Sequence, residues 1–265
     1  MSPLTEPTRI ILRNVWQPMD PDAATYITAV ESADGQALEE PVKIAIDNFV
    51  LGCKTDGIWD AIKASCILAG ARTLSGALVP LAGTAPTNYN FVAGDYNRKT
   101  GLVGDGNTKY LDSNRNNNTD PQNDKHASVY QTTAHDRTLT RGVLGTATFV
   151  GGTQLITTTT LRVFRIHFDS TEGLSASPSD STNVSSFWGV NRSDATQVVG
   201  RYNSVSATYS AISTTPVSET IDIFRRDPNY SNARLAFYSI GESLDLALLD
   251  ARVTDLINKF AEVIP

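Results

Sequence analysis

The stretch Leu161-Arg162-Val163-Phe164-Arg165-Ile166-His167-Phe168 decides the fold class. Apolar and polar side chains alternate along most of it, which is the period of a half-buried strand and not of a helix. Four threonines, Thr157 to Thr160, precede it, and β-branched residues favour the extended backbone. Outward from there, short apolar runs separated by Gly, Asn, Asp, Ser and Thr continue in both directions. Leu74 to Leu81, Lys109 to Leu111, Ser128 to Thr132, Phe187 to Val190, Gln197 to Tyr202, Thr220 to Phe224 and Arg234 to Ile240 all read as strands. Many short strands without a tandem repeat predict a sandwich or barrel from about residue 66 onward.

Both ends of the chain follow the helical period instead. Asp20 is a good N-cap, Pro21 fits the first helical position, and Gly35 is a C-terminal stop, with Tyr26, Ile27, Val30 and Ala33 forming the apolar stripe. A second helix carries Val42, Ala45, Ile46, Phe49, Val50 and Cys53 on one face and breaks at Asp56-Gly57; Ile58, Trp59 and Ile62 suggest a short third. Near the C-terminus Ser243 is placed to cap a helix lined by Leu246, Leu249, Val253, Leu256, Ile257 and Phe260. Before all of these, Ile10-Ile11-Leu12 and Trp16 lie between prolines and suit an extended arm.

The 265 residues, 40% hydrophobic and 19% charged, suffice for one good core. A formal charge of -6 with scattered basic residues argues against nucleic acid and anionic membranes as partners. No apolar run reaches the roughly 20 residues of a membrane span. Met1-Ser2-Pro3-Leu4-Thr5-Glu6 lacks the regions of a signal peptide, so maturation in a cytoplasm is expected. Cys53 and Cys66 are too far apart for a C-x-x-C pair and read as buried hydrophobes, and only His126, His135 and His167 stand ready to complete a metal site.

Three stretches carry a family resemblance: Tyr26 to Glu39 (YITAVESADGQALE), Asp95 to Leu102 (DYNRKTGL) and Phe237 to Leu244 (FYSIGESL). They resemble concanavalin A-like, laminin-G-like jelly-roll domains of structural proteins of tailed phages, including cyanophages, of the tail-fibre type. The resemblance runs from about residue 22 to the end. It implies a mainly β, concanavalin A-like jelly-roll sandwich with N-terminal helices and a C-terminal helix. Residues 1–65 would then form an arm and helical attachment or oligomerisation segment, and 66–265 the sandwich closing with its helix. It further implies a virion protein assembled in the host cytoplasm, joined to other virion proteins as a homo-oligomer with a trimer favoured, and touching host surface polysaccharide. The alternative is a capsid decoration or purely structural subunit without glycan binding. The resemblance transfers no catalytic residue.

The residues themselves agree with a protein that is not an enzyme. Gly241-Glu242-Ser243 stands where a nucleophile elbow would, but Asp245 replaces the final glycine. Gly101 to Lys109 has the glycines of a phosphate loop without the Gly-Lys-Ser/Thr ending. No strand offers the paired acids of a glycosidase, and Asp169 with Glu172 falls in a loop rich in Ser and Gly. Asp112 to Asn116 begins like a calcium loop, yet Asn117 and Asn123 replace its glycine and glutamate. A looser calcium site using Asp105, Asp112, Asp120 or Asp124 remains the one cofactor to test. For sugar binding, rings that stack on sugar faces beside Asn and Arg are needed, and Tyr96, Tyr110, Trp188, Asn191, Arg192 and Tyr202 are the chosen candidates. Tyr89, Tyr209 and Tyr230 belong to the same class, whose other reading is simple core.

Overall fold

A computed structural model describes residues 16–18, 20–133, 138–159, 161–170, 175–176 and 185–265. The arm at Ile10-Ile11-Leu12, together with His135 and Glu172, lies outside the described residues. The chain runs α1 (Pro21–Asp34), α2 (Glu40–Thr55), a 3-10 turn (Trp59–Ala61), β1 (Ile62–Ile67), α3 (Leu74–Ala77), β2 (Thr87–Tyr89), β3 (Tyr96–Asn97), β4 (Gly101–Val103), β5 (Tyr110–Asn116) and β6 (Lys125–Thr133). It continues through β7 (Arg141–Gly145), β8 (Thr153–Thr157), β9 (Arg162–Ile166), β10 (Ser175–Ala176), β11 (Ser186–Arg192), β12 (Gln197–Tyr202) and β13 (Val205–Ser210). Then come β14 (Thr220–Ile223), β15 (Arg225–Arg226), β16 (Asn229–Tyr230), β17 (Arg234–Gly241) and α4 (Leu246–Val263).

Two antiparallel sheets make a sandwich. One has the order β13-β12-β11-β6-β17-β4-β3, with β1 also paired to β17; the other is β10-β9-β8-β7-β14-β5-β2. Inward side chains of both, among them Val129, Trp188, Phe164, Leu155, Ile221 and Ile223, form the core between them. A second core lies on the far side of the first sheet, where Tyr130, Phe187 and Phe237 meet Phe49, Val253 and Phe260 of the helices. The molecule is thus three layers: helices, the sheet containing β17, and the sheet containing β5. Among the described residues no helix packs on the outer face of the last sheet, but β7, β8 and β9 are buried there too, and Gly142 lets the β15–β16 hairpin settle on β7, because a Cβ at Gly142 would stand 2.3 Å from the Arg226 nitrogen.

The helix ends follow the expected chemistry at α1, where Asp20 accepts from the Asp22 and Ala23 N–H groups and Gly35 closes in the left-handed conformation at φ 68°. At α4 the cap is Asp245, which accepts from Ala247 and Leu248 N–H. Ser243, expected to cap it, instead donates its hydroxyl to Asp124 at 2.6 Å. The expected strand at Leu74 to Leu81 is a helical turn, because the Thr73 hydroxyl accepts from Gly76 N–H and Asp34 holds the Thr73 backbone and hydroxyl. Residues Ile58 to Ile62 make one 3-10 turn, not a full helix, since β1 already begins at Ile62. The sheet therefore reaches a few residues into the expected N-terminal segment.

The apolar faces of α1, α2 and α4 pack against the chain's own sandwich. Cys53 and Cys66 are free and buried. No described helix is long and apolar enough to cross a membrane.

Candidate functional site

At the β2–β5 end of that outer face, the alternation of β5 sends Leu111 and Ser113 inward and Tyr110, Asp112 and Asn114 outward. Tyr89 of β2 pairs in register with Tyr110, and their rings stack at 4.3 Å and 4°. Tyr89 is 40% exposed. Tyr230 of β16 meets Tyr110 edge-on at 6.2 Å. Arg225 of β15 lies over Tyr110, 3.5 Å from the ring centre, and its Nε and Nη2 donate to Asp222 at 2.8 and 2.7 Å. The result is a stacked aromatic cluster whose outermost ring, Tyr89, is exposed, with a fixed cation and carboxylate beside it.

Asp222 sits opposite Asp112 on the neighbouring strand. Burial pushes the Asp222 carboxyl up, to about 6, against the pull of Arg225 and with help from Asp112. Asp112 is held by the Asn114 N–H at 2.8 Å and by the Thr220 hydroxyl at 3.1 Å. Asn88 and Asn114 brace the rim: the Asn88 amide donates to Phe91 O and the Asn114 amide to Ala85 O. Both residues stay exposed beside the rings.

Of the six sequence-chosen ligand residues, the structure brings only Tyr110 to this surface. Trp188 and Arg192 are wholly buried, and Tyr202 and Asn191 nearly so. Their positions are corrected for a physical reason: β11 is covered on both faces, by the opposing sheet and by the helices, and Tyr202 lies on the buried face of β12. Trp188 packs edge-on against Phe164 and Tyr202, and Arg192 spends its guanidinium on the carbonyls of Ile166, Asp194, Gln197 and Ala211. Asn191 accepts from the Leu244 N–H, tying down the approach to α4. Tyr96 is half-buried on another edge and donates to Ala71 O at 2.7 Å.

The three chosen metal ligands do not converge, and among the described residues no three His, Cys, Asp or Glu side chains do. Asp105 closes its own turn, accepting from Asn107, Thr108 and Lys109 N–H. Partial burial works against its charge, but the Thr108 hydroxyl and these N–H groups outweigh it and hold the carboxyl well below the usual range. Asp112 belongs to β5 and not to a loop. Asp120 is buried between Arg115 and Lys125.

Arg225, Asp222 and Arg226 were absent from the sequence-level choice. Their signal was present: Arg225-Arg226-Asp227-Pro228-Asn229-Tyr230 has turn residues between an arginine pair and a tyrosine, which is a hairpin pattern.

No protein-family model matches the chain, and no curated protein matches its sequence. Solved structures do match its fold. The botulinum neurotoxin serotype D binding domain aligns with a TM-score of 0.54 and 12% identity over 77% of this chain and 52% of that one. The receptor-binding domain of botulinum neurotoxin D aligns at 0.52 and 13% over 74% and 52%. The binding domain of serotype D/C VPI 5993 aligns at 0.51 and 12% over 76% and 52%. At such identities the likeness is one of fold, and this chain spans about half the length of the neurotoxin domains it matches.

Proposed function

We propose that this protein binds carbohydrate through the Tyr89, Tyr110 and Tyr230 surface and does not cleave it. The observation that carries the reading is the exposed Tyr89 ring, stacked face to face on Tyr110 beside the Arg225–Asp222 pair. The exposed Tyr89 ring, backed by Tyr110, offers sugar C–H groups an apolar contact, while the fixed ions and the rim of Asn side chains meet hydroxyls. Preorganisation favours binding, since the rings and Arg225 already hold one another and lose little freedom on contact. Turnover is not supported by the acids present: Asp222 is engaged by Arg225, and Asp112 by Asn114 and Thr220.

The neurotoxin neighbours are named as receptor-binding domains, which fits a recognition role for such a sandwich. Together with the phage resemblance of Tyr26 to Glu39, Asp95 to Leu102 and Phe237 to Leu244, this supports a virion protein of the tail-fibre type. It would be assembled in the host cytoplasm as a homo-oligomer whose copies add weak glycan contacts into avidity. The decoration reading, without glycan contact, is the outcome if the tyrosine surface proves inert.

The test is binding of the purified protein to host envelope polysaccharide and to a glycan array. Tyr89→Ala and Tyr110→Ala are each expected to weaken binding about tenfold or more, which is about 1.4 kcal/mol, and the double variant to abolish it. Reducing-sugar release should stay at background. Binding that is indifferent to both substitutions overturns the assignment of this surface.

A further inference from the structure

The strand β13 closes one end of the first sheet, and among the described residues β12 alone pairs with it. Its residues follow Gln197–Tyr202 in unbroken register. Asn203 and Ser204 join the two strands, both at positive φ, 46° and 63°, as the tight turn of a two-residue hairpin requires. In such a hairpin the residues flanking the turn exchange hydrogen bonds, and every second pair after them does the same. Val205, Ala207 and Tyr209 therefore turn their backbone groups to β12, a phase continued by the Ala211 N–H, which donates to Thr196 O at 2.7 Å. The N–H and C=O groups of Ser206, Thr208 and Ser210 point the other way, along the free edge.

Edge strands are commonly blunted by a lysine, a proline, a bulge or simple shortness. The other sheet ends, β2, β3 and β10, are short, at three, two and two residues. No such protection exists on β13: VSATYS has neither charge nor proline, and every residue but Tyr209 is exposed, Val205 at 55%. Arg201, opposite Ser206 on β12, is already engaged by Asp250 and the Ser206 hydroxyl. The edge is also complementary to itself. Laid antiparallel across a two-fold axis at Thr208, a second copy sets Thr208 opposite Thr208 and Ser206 opposite Ser210, so that each outward N–H meets an outward C=O. One face then pairs hydroxyls, and the other sets Ala207 against the Tyr209 ring, which is held on Phe164 at 6.2 Å and 14°. No like charges meet, and a charged partner would find nothing to match.

We propose that β13 is the contact between two copies of this chain, joining their first sheets into one continuous antiparallel sheet. Phe164 of β9 packs on Trp188 and Tyr209, so this edge lies over the β9–β10 end of the second sheet, while Tyr89 lies at the β2 end. Both tyrosine clusters stay open in the pair. The inference rests on the homo-oligomer of the preceding reading and not on glycan binding, so Tyr89→Ala should leave the pairing unchanged.

The test is the mass of the full chain by sedimentation equilibrium from about 1 μM to about 1 mM, a range that suits a small interface. A monomer–dimer equilibrium is expected. Thr208→Lys sets like charges against each other at the axis, and Thr208→Pro removes an outward N–H that the single chain leaves to solvent. Each should raise the dissociation constant tenfold or more with the melting temperature unchanged; should Thr208→Lys melt early, the proline variant and a pair of cysteine variants decide. Thr208→Cys should cross-link with diamide, since facing Cα atoms stand about 5.5 Å apart, and Ser206→Cys should not, since its two copies lie about 14 Å apart. Cys53 and Cys66 are buried and do not compete. An oligomer indifferent to Thr208, or equal cross-linking at both positions, overturns this edge and leaves the homo-oligomer standing. A monomer at every concentration overturns both.

Discussion

Asp120→Ala is expected to destabilise the fold by about 3–5 kcal/mol, read from the urea midpoint, because it strands a buried ammonium. Lys125 has no exposed surface, and its Nζ meets Asp120 Oδ2 at 2.5 Å with the Asn117 carbonyl, at 3.3 Å, as a further acceptor among the described residues. Burial pushes the Lys125 amine down, and Asp120 pulls it back. Asp120 itself is held low, against its burial, by Arg115 and Lys125. Removing the carboxylate therefore leaves the desolvation penalty of Lys125 in place and takes away what opposed it. The companion variant Asp120→Ala with Lys125→Met removes both charges and should recover most of the loss, since an apolar pair of similar volume is often no worse than a buried ion pair. The same experiment separates two roles for Asp120. As a salt-bridge partner it makes the midpoint indifferent to calcium or chelator; a midpoint raised by calcium in the wild type and not in Asp120→Ala would restore the ligand role.

That correction shows where sequence reading stops. Capping and periodicity are local, and so α1 from Asp20 to Gly35 and β12 from Gln197 to Tyr202 were legible residue by residue. Gly76 and Pro80 within an apolar run were not enough to separate a strand from the helical turn at Leu74–Ala77, because the deciding bonds come from Asp34, some forty residues earlier. The site was harder still. Trp188 stands between Phe187 and Gly189, and Tyr110 between Lys109 and Leu111, and neither set of flanks says which face of which sheet is covered. What separates them is which sheet face the helices cover: β11 lies in the middle layer and is buried from both sides, while β5 lies in the outer layer. Layer assignment is a tertiary fact, carried by apolar helix faces whose docking partner the sequence does not name. Arg225 likewise meets Tyr110 only once the β15–β16 hairpin folds onto the sheet over Gly142.

Acid is expected to weaken the protein well before its ordinary carboxylates titrate, with two buried histidines as the cause. His126 is closed in, with Nδ1 2.6 Å from Glu242 O and Nε2 2.7 Å from Ser239 Oγ. His167 places Nδ1 2.7 Å from Gln122 O and leaves Nε2 buried without a partner. Burial pushes both down from 6.5 to about 4. Between those values the unfolded chain binds protons that the native state refuses, so the contribution is complete above pH 6.5 and is lost as the pH falls toward 4. Each histidine accounts for about 3 kcal/mol of that loss. Asp222 works in the opposite sense: raised to about 6 by burial, it takes its proton earlier in the native state than in the unfolded chain. Its protonation returns about 2 kcal/mol over the same window. Urea midpoints from pH 7 to 4 should therefore fall by an amount equivalent to about 4 kcal/mol in the wild type and about 6 kcal/mol in Asp222→Asn, whose counterweight is gone. A flat profile would mean that both imidazoles accept protons in the folded state. The opposite ordering of the two proteins would mean that Arg225, and not burial, sets the charge of Asp222, and the aromatic surface would then keep its fixed ion pair through the whole acid range.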